Sequence, residues 1–370
     1  MLTDPTNLRI PGPTPIPPQV MEAMQQPAVP HRGEMFANLF TELQEQLKRI
    51  HGTQHDVYVI AGTGSAGWEA SIVNTLSPGD KVLALVNGNF GERYVTVAEH
   101  FGMNVVRVDA EWVDAIHADD VRKALDAHPD VRAVLLTHNE TSTGVLNPVQ
   151  EIGNVVREHG SLLFVDAVSG LAGAPLEMDA WNCDIVFSGS QKAFMCPPGL
   201  SIIAVGERVW KETERASIPR FVMDFKRMRE SLAQGSTPST APLSLIFGLK
   251  AACDMLESEG LDKVFQRHVE QGVYMRAELD KLGMKPIAEQ GYESPTVTVA
   301  RTPEGVTSGQ LIAELRDRHG IHIASGQAHM KDSVVRIGHM GWTDYPELER
   351  TLKAIDDVLE HIPAARVAAV

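Results

Sequence analysis

The chain has little of what would tie it to several common chemistries. Its 370 residues include only three cysteines, Cys183, Cys196 and Cys253, and no two of them form a C-x-x-C pair. Neither a disulfide framework nor a cysteine-rich zinc site is expected, and a reducing, cytoplasmic setting is the default. The 14 histidines show no H-E-x-x-H or similar spacing, so no metal site is predicted. Positive charge is short: 33 Lys and Arg against 48 Asp and Glu leave a formal net charge of -15. Such a chain repels phosphate backbones, and nucleic acid is not an expected partner. No apolar run approaches the roughly 20 residues a membrane helix needs. The opening "MLTDPTNLRIPGPTPIPP" lacks the basic and then apolar order of a secretory signal.

What is present is a long alternation. After a Pro-rich stretch over residues 1–34, expected to be an extended arm ordered by packing on another surface, "MFANLFTELQEQLKRIHG" has helical spacing and a Gly stop. Seven β-rich runs follow: "DVYVIAG", "KVLALVNG", "NVVRVDA", "VRAVLLTHN", "SLLFVDAVS", "CDIVFSGS" and "GLSIIAVG". Helical patterns such as "SAGWEASIVNTL", "GERYVTVAEHFG" and "VQEIGNVVREHG" separate most of them. The alternation predicts an α/β fold, with a mainly parallel sheet sandwiched by helices and functional residues at the carboxyl ends of its strands. Two long amphipathic patterns follow, at about 241–258 and 261–282, and then a strand–helix–strand–helix series to the end. The division expected is an arm over 1–34, a large domain over 35–283 and a small α+β domain over 284–370.

Three stretches carry candidate chemistry. "VIAGTGSAGWEA" matches G-x-G-x-x-G through Gly62, Gly64 and Gly67. A nicotinamide dinucleotide site would also need an acid closing the next strand, but "KVLALVNG" ends in Asn87. A phosphate cradle survives: glycines let the backbone approach an anion, Thr63 and Ser65 offer hydroxyls, and a helix beginning near Ser65 offers free N–H groups. A plain tight turn remains the alternative. Asp166 follows four apolar residues at the end of "SLLFVD", where a carboxylate needs a cationic partner or a raised pKa. Lys192 lies in "CDIVFSGSQKAFMCPPG", just after another strand. An amine, an acid and an anion cradle are together what a pyridine ring with a phosphate tail requires.

At this point the chain resembles the class V aminotransferases, which are pyridoxal 5'-phosphate enzymes of fold type I. The resemblance runs through "PGPTPIPPQV", "GTGSAGWEA", "NGNFGER", "THNETSTGVLNP", "FVDAVSG", "SGSQKAFMCPPGL" and "VVRIGHMG", in order and over most of the chain. The alanine– and serine–glyoxylate aminotransferases are the most similar group. The resemblance implies transfer of an amino group from alanine or serine to glyoxylate or a similar small 2-oxo acid. It makes Lys192 the lysine that binds the cofactor covalently, with Gln191 beside it at the phosphate. Asp166 would pair with the pyridinium nitrogen. Thr63, Gly64 and Ser65 would form the phosphate loop, Phe90 would stack on the ring and Thr141 would bond near its oxygen. Arg336 would hold the substrate carboxylate. "QGSTPST" resembles a segment that crosses a homodimer interface, with Thr237 keeping the hydroxyl and Gln234 replacing the Tyr of some members. Ureidoglycine–, aspartate–glyoxylate and pyridoxamine–pyruvate transaminases share most of these motifs. A desulfurase would need a cysteine in the small domain, and none lies beyond Cys253.

Overall fold

The structure, a computed structural model, describes residues 7–362. Residues 1–6 of the expected arm and 363–370 of the expected small domain lie outside it.

All seven predicted strands form one sheet. They are β1 (Asp56–Ala61), β2 (Lys81–Val86), β3 (Asn104–Asp109), β4 (Val131–Thr137), β5 (Leu162–Asp166), β6 (Ile185–Gly189) and β7 (Leu200–Val205). Their order across the sheet is β3-β2-β4-β5-β6-β7-β1. The contiguous run β3-β2-β4-β5-β6 is parallel. β7 runs antiparallel to both β6 and β1. The reason is the connection. Residues 190–199 form no helix that could carry the chain back across the sheet, so β7 returns directly. That direct return is the segment that bears Lys192.

Alternation along each strand divides the core in two. Leu83, Leu85, Leu163 and Val165 enter one apolar layer with helices Glu34–His51, Val149–His159 and Leu243–Glu259. Val82, Ala84, Leu162 and Phe164 enter the other with helices Ser65–Thr75 and Asn89–His100. Central strands are therefore buried on both faces, which is why they read as continuous apolar runs.

A second sheet, Val297–Arg301, Val334–Gly338 and Ala324–Ser325, packs with helices Ser308–His319 and Tyr345–His361. Thr307 and Gln310 form a reciprocal capping box that starts the first of these helices. This core also takes Met275 and Leu279 from helix Leu261–Lys281, residues placed in the large domain by the sequence reading. The arm is not simply extended. It contains helix Pro18–Ala23, whose Val20 is buried, and Asn7–Leu8 pairs in parallel with Ile321–His322. Much of its packing surface is thus its own chain. Three polar helices, Ala118–Ala127, Glu207–Arg215 and Phe225–Leu232, were not expected.

Candidate active site

The carboxyl ends of β1, β2, β4, β5 and β6 open onto one edge of the sheet, where the turns after them carry most of the predicted residues. Asp166 is the last residue of β5, in register with Thr137 on β4 and Phe187 on β6. It is only 3% exposed. Its Oδ2 accepts from the Trp68 indole Nε1 (2.7 Å) and its Oδ1 from the Val168 N–H (2.9 Å). Burial raises its pKa to about 6, and the nearby Glu140 carboxylate adds to the rise; the two donors and Lys192 oppose it. A buried carboxylate with only two donors is still short of the partners its charge calls for.

Lys192 lies in the return between β6 and β7. Its Nζ donates to the Pro11 carbonyl of the arm. Burial lowers its pKa to about 8, Arg336 lowers it further, and Asp166 acts the other way. The backbone around it is held by the arm as well: Thr14 N–H donates to Gln191 O (3.1 Å) and Thr14 Oγ1 to Lys192 O (3.0 Å). Arg336 stands in the middle strand of the second sheet, paired to Val299 and Ala324. Its Nε donates to Ser325 O (2.8 Å). Burial lowers its pKa to about 10, while Glu140 holds it up.

Thr63, Gly64 and Ser65 form the turn between β1 and helix Ser65–Thr75, with Gly64 as the helix cap and no side-chain cap present. A Cβ on Gly64 would overlap Val168, so only glycine fits beside the Asp166 turn. Gln191 points into the same corner: its Oε1 would lie 2.7 Å from a Cβ on Gly189, and Gly64 N 3.2 Å from that point. Gln191 Oε1 is buried without a hydrogen-bond partner. Thr141 Oγ1 lies 2.6 Å from Ser169 Oγ. Phe90 occupies the first turn of helix Asn89–His100, with the Arg93 guanidinium carbon 5.7 Å from its ring centroid.

Thr237 stands apart. Its Oγ1 donates to Ser239 O (2.7 Å), and it packs beside Phe40, Tyr58 and Met228. Two residues of the site escaped the sequence reading. Trp68 was inside a quoted motif, but its indole reaches Asp166 only because helix Ser65–Thr75 lies over β5. Glu140 sits beside Thr141 in "HNETSTG", where nothing in the spacing separates it from a surface acid. The structure buries it completely.

The three cysteines are all buried and free. Among the described residues, no three His, Cys, Asp or Glu side chains come together as metal ligands would, and no helix is long and apolar enough to cross a membrane.

Comparison with known proteins agrees with this geometry. The family profile described as aminotransferase class V matches residues 6–343. A protein named soluble hydrogenase small subunit, from Synechococcus sp., is 36% identical over 100% of this chain and 98% of its own. The L-aspartate–glyoxylate aminotransferase of Paracoccus denitrificans is 36% identical over 92% of this chain and 87% of its own. The crystal structure of an alanine–glyoxylate aminotransferase from Nostoc sp. superposes with a TM-score of 0.93 at 32% identity, covering 97% of this chain and 96% of that one. A match over nearly the whole length leaves one assignment: the chain belongs to the class V aminotransferases.

Proposed function

We propose that this protein uses pyridoxal 5'-phosphate to move the amino group of a small amino acid, alanine or serine, to glyoxylate or a similar small 2-oxo acid. We propose further that it works as a homodimer in the cytoplasm. The observation that carries the reading is a buried strand-end acid with a raised pKa, near a half-buried lysine with a lowered one.

The residues present fit this cofactor. Asp166 is a buried carboxylate short of a cation, and a protonated ring nitrogen is one. Gln191 Oε1 and His138 Nδ1 are buried polar atoms without partners at the same strand ends. The Gly64 turn and the start of helix Ser65–Thr75 present backbone N–H groups suited to a phosphate.

Pyridoxal phosphate, when bound, supplies an aldehyde that condenses with amines and a ring that withdraws electrons from the substrate Cα. Asp166 would keep that ring nitrogen protonated. Lys192 Nζ would hold the cofactor, and its freed amine would carry a proton between the substrate Cα and the cofactor carbon that bore the aldehyde. Its lowered pKa leaves more of the amine in the neutral form such a base needs. Arg336 has Nε committed to Ser325 O, so a substrate carboxylate would meet its two terminal nitrogens, a bidentate arrangement. The arm turn at Pro11, on Lys192 Nζ, covers the site and excludes water.

A second reading, aspartate as donor, is favoured by the Paracoccus relative. A panel of alanine, serine and aspartate against glyoxylate and pyruvate separates the two. We expect turnover with glyoxylate and an absorbance band of bound cofactor that disappears in Lys192→Ala. A protein that takes up no pyridoxal phosphate, or that transfers no amino group to any acceptor in the panel, would overturn the proposal.

A further inference from the structure

Glu140 is fully buried and takes part in none of the roles above. Its Oε2 accepts from the backbone N–H groups of Phe90 (3.0 Å) and Gly91 (3.1 Å). Its Oε1 accepts from the Ser142 N–H (3.0 Å) and hydroxyl (2.6 Å). Ser142 Oγ in turn accepts from Asn89 N–H (2.9 Å). The carboxylate therefore caps the first turn of helix Asn89–His100, whose cap position is Gly88 with no side chain to do so. Burial raises the Glu140 pKa, and these donors, with the helix dipole, work against that rise. The fit has no slack, since a Cβ on Gly88 would overlap both Glu140 and Ser142.

The same residue holds the other side of the site through its backbone. Glu140 O accepts from Thr143 N–H (3.2 Å) and Gly144 N–H (2.9 Å), closing a tight turn around Thr141. The Thr141 hydroxyl is thereby set 2.6 Å from Ser169 Oγ. One side chain thus fixes Phe90, and one turn fixes Thr141. On the reading given under Proposed function, on which this inference rests, those two bracket the cofactor ring at its face and its edge.

We infer that Glu140 is a positioning residue: its carboxylate, by clamping the start of helix Asn89–His100, sets the Phe90 ring against the cofactor, and its backbone carbonyl closes the turn that sets the Thr141 hydroxyl. Its carboxylate also bears on Asp166, whose pKa it raises, and on Arg336, whose pKa it holds up.

A double-mutant cycle on the cofactor-loaded protein tests this. Glu140→Gln keeps the shape but turns an NH2 group toward one of the donor pairs. The readouts are the dissociation constant for pyridoxal phosphate by equilibrium dialysis and the circular dichroism band of the bound cofactor. Glu140→Gln should weaken binding about tenfold or more and alter the band. In a Phe90→Leu background the same change should cost only a few-fold, because the residue through which it acts is already gone. Losses that simply multiply would overturn the inference. Ser142→Ala removes one donor to Glu140 and the acceptor of Asn89 while leaving the acid in place. It should shift the band in the same sense, and it replaces Glu140→Gln in the cycle if that variant does not fold; an unchanged band and affinity would again overturn the inference. Wild-type protein that takes up no pyridoxal phosphate refutes the proposed function and this inference with it. Wild-type binding with multiplying losses refutes this inference alone.

Discussion

The proposed chemistry rests on two residues at the sheet edge, and their shifted proton affinities make it testable. On the proposed function, removing the Lys192 amine would remove both the covalent anchor and the proton carrier. Lys192→Ala should therefore lower kcat by roughly 1,000-fold or more, with the fold intact by circular dichroism; substantial turnover by a soluble variant would refute its role. Asp166→Asn keeps an acceptor for only one of Trp68 and Val168, turns an NH2 group toward the other, and loses the charge that the ring nitrogen would need. Cofactor binding should weaken by about 30-fold or more, and proton removal in single turnovers should slow in parallel. The pH dependence has a defined sign. Only the neutral amine captures an aldehyde, so cofactor uptake by cofactor-free protein should rise with pH and level off above about 8, the lowered pKa of Lys192, rather than climbing on toward 10.5. Asp166 is the charge that holds the lysine's pKa up. In Asp166→Asn the plateau should therefore begin at lower pH. Stopped-flow uptake across pH 6 to 10 reads both, and a midpoint near the ordinary lysine value would show that burial does not act on Nζ.

At the scale of elements, the strands were legible because burial on both faces leaves an uninterrupted apolar run, and helices Asn89–His100 and Val149–His159 because one face of each is apolar. Asp166 stands out as a charged residue closing such a run, whereas Lys192, beyond a polar turn, is singled out by its place in "SGSQK" and the resemblance that motif carries. Trp68, Glu140 and the arm were not. An indole at a helical position reads as core, and Glu140 is distinguished from any other acid only by Phe90, Gly91 and Ser142 closing around it. The three polar helices lack a long apolar stripe. The arm's Pro-rich composition predicts no regular structure, yet Arg9, 1% exposed, donates through NH1 to Thr343 Oγ1 (2.8 Å) and pairs with Glu347 (3.3 Å). A few residues later Pro11 and Thr14 hold Lys192. The arm thus ties the second sheet's layer to the lysine turn. Arg9→Met keeps the buried stem and removes both polar contacts, leaving Glu347, already partly exposed, in solvent. It should destabilise the protein by about 1–3 kcal/mol in chemical denaturation, make residues 7–14 more open to limited proteolysis, and lower kcat/KM several-fold. Unchanged proteolysis with unchanged kcat/KM would mean that the arm does not depend on this anchor.

At the scale of the whole molecule, two observations point to a second copy of the chain. Apolar side chains stand in solvent, Met35 and Phe221 at 70% and Val222 at 60%. Thr237, expected at a cofactor phosphate, has no hydrogen bond to the Lys192 cluster of its own chain among the described residues; it lies in the loop that follows helix Phe225–Leu232, close in sequence to Phe221 and Val222. A two-fold pairing that covers those residues would carry each such loop to the other subunit, in an isologous arrangement. Complementation tests it. Lys192→Ala and a Thr237→Val variant, each inactive or nearly so, are mixed under conditions where subunits exchange. If Thr237 serves the partner's site, each heterodimer has one site with both defects and one with neither. At full exchange about a quarter of all sites should then be intact, and activity should return toward that level. If Thr237 serves its own chain, every heterodimeric site keeps one defect and activity stays at the level of the parents. An active monomer by sedimentation, or no recovery despite proven exchange, would remove the shared site from the proposal while leaving the roles of Lys192 and Asp166 untouched.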